Sequence, residues 1–232
     1  MKIGICLSNA EIRPELEDVR AYFRLPGIGL VEKDLLVVRA IGAIAQVDAG
    51  PFSLVFGGGT ALARAHKVIR RMSEDVDFKI VLTGVSLSRN ALRQELGALR
   101  GRVTASLLAA GFVFDPADAA VVRSRNENRY TIYQLPYTSS EDLEGLRPTV
   151  QIELTYAALR LPPVTKPVAS FVHEAFGRDP EVPGIPCVSL DETAAEKLVS
   201  LTRRTAMERA GLSRDVDTAL VRMSTTCISC VT

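Results

Sequence analysis

Phe52, Ser53, Leu54, Val55 and Phe56, running into Gly57, Gly58, Gly59 and Thr60, with Arg71, Met72, Ser73, Glu74, Asp75, Val76, Asp77 and Phe78 further on, form the stretch on which the fold turns. The first five residues are an apolar run with β-branched and aromatic members that stops at three glycines, the pattern of a strand entering a tight turn. Beyond Thr60, the residues Leu62, Ala65, Ile69 and Met72 recur at helical spacing. The glycines therefore sit at a strand-to-helix junction, where the first amides lack carbonyl partners and attract anions. Glycine lets a phosphate approach the backbone, and the Thr60 hydroxyl is placed either to cap the helix or to touch that phosphate. The same residues also suit a plain turn that ends a strand.

The Asp75 to Val81 segment alternates with period two, which places Val76, Phe78 and Ile80 on one face and Asp75, Asp77 and Lys79 on the other. Carboxylates two residues apart in a strand lie roughly 6–7 Å apart at the backbone and repel unless a cation intervenes. Magnesium suits them, because it takes oxygen ligands from one or two carboxylates together with substrate phosphates. The competing description is a solvated strand face carrying a spare pair of acids. A second alternating run, Thr149 to Tyr156, carries Glu153 between Ile152 and Leu154, on one face with Gln151 and Thr155. Laid beside the Asp75 strand it would bring a third carboxylate to the first two, as metal-dependent phosphoryl transfer requires. Alone, it is also consistent with an ordinary exposed glutamate.

Gly58-Gly59-Thr60-Ala61-Leu62, the block Arg71 to Phe78, Ile152-Glu153-Leu154 and Ala195-Glu196-Lys197-Leu198-Val199 together resemble the AbiEii/AbiGii nucleotidyltransferase toxins, within the DNA polymerase β-like nucleotidyltransferase superfamily. The resemblance spans roughly Val31 to Val221. It implies an α+β fold, a mixed nucleotidyltransferase sheet packed by helices with a helical C-terminal portion. It also implies a magnesium-dependent enzyme moving a nucleoside monophosphate from a nucleoside triphosphate to an acceptor, tRNA or a protein. Such an enzyme would be the toxin of a bacterial type IV toxin–antitoxin or phage-defence pair, partnered by a cognate antitoxin. By the same resemblance Asp75, Asp77 and Glu153 bind the metal and are catalytic, Lys197 is the catalytic cation, and Gly58, Gly59, Thr60, Arg71 and Ser73 bind nucleotide. The alternative is a catalytically weak nucleotide-binding or interaction module of the same fold. The fourteen residues from Ala61 to Glu74 exceed the usual gap and suggest a longer intervening helix.

Lys197 also has local support. Ser189 with Glu192 three positions later is a capping box, and Leu190, Ala194, Lys197 and Leu198 follow at helical spacing. Helices are expected from about Pro14 to Phe23, Glu32 to Gln46 and Leu87 to Ala110, and strands at Gly111 to Phe114 and Arg129 to Leu135. Leu161-Pro162-Pro163-Val164 reads as a linker and Pro180 to Pro186 as a loop. The expected organisation is thus a nucleotidyltransferase core with N-terminal helices over 1–161 and a mainly helical portion over 162–232.

Charge excludes a global attraction to nucleic acid: 28 Lys plus Arg face 27 Asp plus Glu, for a net charge of +1. A local one is conceivable, since Arg64, Lys67, Arg70 and Arg71 crowd the segment beside the proposed site; they equally suit the watery side of a helix. With no apolar run of membrane-spanning length and no signal-peptide pattern, a cytoplasmic protein without membrane attachment is expected. Cys227 and Cys230 form an isolated Cys-x-x-Cys, too little for a zinc site. His66 reads as a packed side chain rather than a base. After Arg222 the relatives' His-x-Tyr-Asp-Leu-like helix gives way to Met223-Ser224-Thr225-Thr226-Cys227-Ile228. Shifted codons for that string can encode His-Val-Tyr-Asp-Leu-His, so the tail reads as truncated or frameshifted, with Asp215 as a substitute for the missing acid.

Overall fold

Alternating burial along the Asp75 segment divides a mixed sheet into an apolar face and an acidic one. The computed structural model describes residues 5–6, 13–69, 72–141 and 145–212. In chain order they form β1 (Ile5–Cys6), α1 (Arg13–Phe23), α2 (Ile28–Ala45), β2 (Phe52–Gly57), α3 (Gly58–Arg64), β3 (Asp75–Leu82) and α4 (Arg89–Ala109). There follow β4 (Val122–Arg125), β5 (Tyr130–Thr138), β6 (Thr149–Tyr156), β7 (Val164–Val168), α5 (Phe171–Ala175), β8 (Val182–Cys187) and α6 (Leu190–Arg209). Among the described residues the sheet has eight strands in the order β1-β5-β6-β3-β2-β8-β7, with β4 also on β5. The fold is α+β: β3 runs antiparallel to β2 and parallel to β6, and β5 is antiparallel to β6.

Val76, Phe78 and Ile80 of β3 pack with Ile152 and Leu154 of β6 against buried residues of α2 and α4. Phe78 is 1% exposed with its ring centroid 5.4 Å from that of Phe56, and burying such a ring contributes about 1.5–3 kcal/mol. Because this side is dry, the odd residues of β3 are forced onto the opposite face. Glu32, Lys33 and Asp34 of α2 are also buried, and each has a partner. The Glu32 carboxylate accepts from the Ser139 and Ser140 hydroxyls, Lys33 reaches Glu74, and Asp34 meets Arg64. A second, smaller core joins Leu16 and Val19 of α1 to Ile28, Val31 and Val172. Among the described residues no helix is long and apolar enough to cross a membrane.

Three local expectations are corrected. The helix after Thr60 stops at Arg64: Lys67 has a φ of 57°, and the Val68 amide wraps back to the Leu62 carbonyl at 3.0 Å. Ile69 is buried through this returning loop and not through helical repetition. Gly111 to Phe114 is not a strand. Gly111 (φ 92°) ends α4, the Phe112 amide bonds to the Leu107 carbonyl at 3.1 Å, and Phe112 and Phe114 both enter the core, which mimics a strand's alternation. The stretch from Pro180 to Pro186, read as a loop, carries most of β8, which pairs antiparallel with β7 across α5 with an irregularity between Lys166 and Val168, while the linker at Leu161 to Pro163 carries no strand and β7 begins at Val164. Proline is tolerated at bulges and away from sheet centres, which is where Pro167, Pro183 and Pro186 fall. The boundary expected near residue 161 falls between β6 and β7, and β8 rejoins the sheet by pairing Cys187 with Phe56 of β2. The tail with Asp215, Cys227 and Cys230 lies outside the described residues.

Candidate active site

The glycine turn and the acidic face meet at the end of the β2–β3 pair. Gly57 stands opposite Asp77 in register, and Gly58 has a φ of 71°, a conformation that L side chains rarely adopt. A Cβ on Gly58 would lie 1.8 Å from Oδ2 of Asp77, so only glycine lets the backbone come this close to the carboxylate. A Cβ on Gly59 would lie 2.8 Å from the Ser73 hydroxyl oxygen, which places Ser73 directly on the turn. Thr60 differs from expectation. Its side chain is buried and its hydroxyl donates to the Asp75 carbonyl, so it neither caps α3 nor points to a ligand; it ties the turn to β3. No side chain caps the start of α3. Arg71 lies outside the described residues.

Asp75 and Asp77 project from the face of β3 opposite the core. The parallel register with β6 sets Asp77 across from Glu153 and Asp75 across from Gln151. Burial raises the Asp77 pKa to about 7, and the charges of Glu153 and Asp75 push the same way against Lys197 and Arg147. A carboxyl in this position gains from any added positive charge. Arg147, which precedes β6, supplies part of it: Nη2 donates to Oδ1 of Asp75 and Nη1 to Oε1 of Gln151 at 2.7 Å. Gln151 in turn donates through Nε2 to Oε1 of Glu153 at 2.8 Å. Two of the three acids thus already bind protein donors. Among the described residues no three His, Cys, Asp or Glu side chains group tightly enough to hold a metal ion. The donor chemistry nevertheless fits magnesium, since the three acids offer hard oxygens and Lys197 and Arg147 only partly offset the burial of Asp77 and the charges of Glu153 and Asp75 beside it.

Lys197 approaches from α6. The Ser189 hydroxyl accepts from the Glu192 amide at 3.2 Å, the N-terminal half of the capping box expected there. Along α6 the buried residues are Glu192 and Thr193, so the helix is held by its first turn. Glu192 accepts from Lys79 at 3.0 Å and from the amides of Arg160 and Leu161 at 3.0 and 2.9 Å, while Lys79 also donates to Glu196. A cavity of about 420 Å³ opens between this helix and the sheet, lined among others by Gly57, Gly58, Asp77, Lys79 and Lys197.

Sequence reasoning missed Arg147, Lys33 and the Lys79–Glu192 pair. Glu74 stood in the quoted block without a role. Its carboxylate accepts from Lys33 Nζ at 2.8 Å and from the Arg147 amide at 2.9 Å, and so anchors the segment that carries Arg147. The available signal was the run Glu32-Lys33-Asp34 inside an apolar helix; Arg147 offered none. The basic cluster is corrected as well. Arg64 is buried over the Phe171 ring at 3.6 Å and pairs with Asp34 at 2.7 Å, and Lys67 pairs with Glu174 at 2.8 Å, so these two make no basic face at the acids. Arg70, like Arg71, lies outside the described residues. His66 is packed, its Nε2 2.9 Å from the Val188 carbonyl, with burial holding its pKa down.

A family model described as "Nucleotidyl transferase AbiEii toxin, Type IV TA system" matches residues 44–216, an interval running from before the glycine turn to beyond α6. Among solved structures, the nucleotidyltransferase toxin MenT4 from Mycobacterium tuberculosis H37Rv is similar over 80% of this chain and 58% of its own, at 20% identity and a TM-score of 0.48. This chain therefore spans less than two thirds of that toxin's length. No curated protein matches the sequence.

Proposed function

The chain belongs to the AbiEii nucleotidyltransferase toxin family of type IV toxin–antitoxin systems, and from that premise we propose that it is a magnesium-dependent nucleotidyltransferase. It moves a nucleoside monophosphate from a nucleoside triphosphate to an acceptor, tRNA or a protein. In the cell it acts as the toxin of a pair with a cognate antitoxin, in phage defence or growth control, in the cytoplasm. The observation that carries this proposal is the contact of the Gly58 backbone with the Asp77 carboxylate, because it brings the glycine turn and the acids to one place.

Asp75, Asp77 and Glu153 would hold magnesium, which when bound neutralises triphosphate charge and lowers the pKa of the attacking oxygen. The amides of Gly58 and Gly59 would face the triphosphate tail, with Ser73 beside the turn and Arg71 as a further nucleotide ligand. The acceptor oxygen bonds to the α-phosphorus as the bond from that phosphorus to the α–β bridging oxygen breaks. Pyrophosphate leaves with the electron pair, and Glu153 takes the acceptor's proton. Lys197, in the cavity wall with Asp77, offsets the charge that builds on the departing pyrophosphate. The portion after residue 161 serves as the arm that brings this lysine to the core.

One observation favours the second reading, a catalytically weak nucleotide-binding module: Arg147 and Gln151 hold Asp75 and Glu153. A transfer assay with each of the four labelled triphosphates, magnesium and total cellular RNA or protein separates the two. Label that enters the acceptor with wild type and not with Asp75→Ala plus Asp77→Ala supports the enzyme. Triphosphate binding without transfer would refute it.

A further inference from the structure

We infer that Arg147 is a resident counter-ion that competes with the divalent cation for Asp75, so that the cation and the nucleotide load cooperatively. This rests on the proposed assignment of Asp75, Asp77 and Glu153 as cation ligands.

The arginine is built in two parts. Its backbone is clamped: the amide donates to Glu74 at 2.9 Å and the carbonyl accepts from Lys33, whose side chain is 0% exposed. Lys33 also donates to the Thr149 carbonyl at 3.0 Å, fixing the start of β6. The Arg147 side chain, by contrast, is 40% exposed and that of Asp75 37% exposed, so water screens their pair and a competing cation can displace it. A fixed root with a releasable head suits a side chain that exchanges partners without disturbing the strand.

Its two donors explain why the acids do not close into a chelating group. Nη2 occupies Oδ1 of Asp75, and Nη1 holds Gln151, which occupies Oε1 of Glu153. One displacement therefore frees Oδ1 of Asp75 and releases the Gln151 amide that sits on Glu153, so that it can turn away. A guanidinium released from Asp75 keeps only the long 3.9 Å pairing of its Nε with Glu74, and its planar fork matches phosphate oxygens. A bound triphosphate supplies them. Cation and nucleotide then favour each other through Arg147, a coupling that must be reciprocal.

The test is Mn2+ binding to the full chain, read from the electron paramagnetic resonance of free Mn2+, with and without a non-hydrolysable triphosphate analogue. Arg147→Gln should lower the nucleotide-free Kd about five-fold, the factor expected for removing one screened ion pair, and should shrink the tightening produced by the analogue. Arg147→Lys, which keeps the charge but not the fork, should shift both quantities the same way by less. Arg125→Gln controls for charge alone, since Arg125 acts on Tyr130 beside Glu153 from β4, and its Kd should stay within about two-fold. Unchanged or weaker Mn2+ binding in both Arg147 variants, or equal tightening in Arg125→Gln, would overturn the inference. If Asp75→Ala plus Asp77→Ala leaves Mn2+ binding intact, the ligand assignment fails and takes the inference with it. If that double variant abolishes binding while the Arg147 variants match wild type, the inference alone fails.

Discussion

Gly58→Ala puts a methyl group into space that the Asp77 carboxylate already fills. The added Cβ would stand 1.8 Å from Oδ2, 2.7 Å from Cγ and 2.9 Å from Cβ of Asp77. Restoring ordinary contact requires the carboxylate to move by roughly 1.5 Å or more. A displacement near 1 Å of a reacting group lowers rates by about 10²-fold, so transfer activity should fall at least that far. The backbone contributes separately: a non-glycine residue at a φ of 71° costs about 1–2 kcal/mol, which in a domain of this size lowers the Tm by about 2–8 °C. Gly84→Ala isolates this backbone effect, because Gly84 has a φ of 66° and nothing within 4 Å of its Cβ position. It should lose similar stability and keep its activity. Gly59→Ala meets the Ser73 hydroxyl oxygen at 2.8 Å without a positive φ, and a hydroxyl can rotate away, so its activity should stay within about ten-fold of wild type. Thermal unfolding followed by labelled-triphosphate transfer on the three variants is decisive. If folded Gly58→Ala transfers as fast as Gly84→Ala, the position of the Asp77 carboxylate against the turn has no part in catalysis.

Two further outcomes are expected. Asp77, with its pKa pushed up to about 7 by burial and by Glu153 and Asp75, binds a proton more tightly when folded than when unfolded, where it titrates near 3.8. Its ionisation therefore costs nothing well below pH 4, costs progressively more as the pH rises towards about 7, and reaches a plateau above that. Asp77→Asn should gain on wild type in denaturant titrations at pH 8 in the absence of divalent cations, and lose most of that advantage at pH 4.5; an equal difference at both values would contradict the assignment. Lys79→Met leaves the carboxylate of Glu192, 2% exposed, without its cation and should lower unfolding free energy by about 3 kcal/mol, with Lys79→Arg recovering most of it. Denaturation indistinguishable from wild type would show that the first turn of α6 is held by other contacts.

The local geometry was legible because it depends on short-range rules. Period two along Asp75 to Val81 separates acids from core residues whatever the strand's neighbours, and β3 shows that separation. The same reasoning recovered β6 and the cap of α6 at Ser189. It failed where burial came from the path of a loop, as at Ile69 and Phe112, and where prolines marked an irregular strand pair. Partnership was out of reach in the same way. Thr60 looked like a cap or a phosphate contact because nothing local reveals that the Asp75 carbonyl lies beside its hydroxyl. Arg64 looked like part of a basic surface until Asp34, thirty positions earlier in the chain, came into contact with it.

The chain's own order of residues determined that a glycine turn follows one strand, that two acids share a face of the next, that a third sits on a later strand and that Lys197 rides on a capped helix. Only the tertiary structure decided that β6 lies parallel to β3 with Glu153 opposite Asp77, and that Arg147 grips Asp75 from a segment anchored by Lys33 and Glu74. The division is physical. Periodicity, turns and caps arise from backbone sterics and hydrogen bonds a few residues apart, whereas strand neighbours and charge partners tens of residues distant are selected by how the whole chain buries its apolar surface.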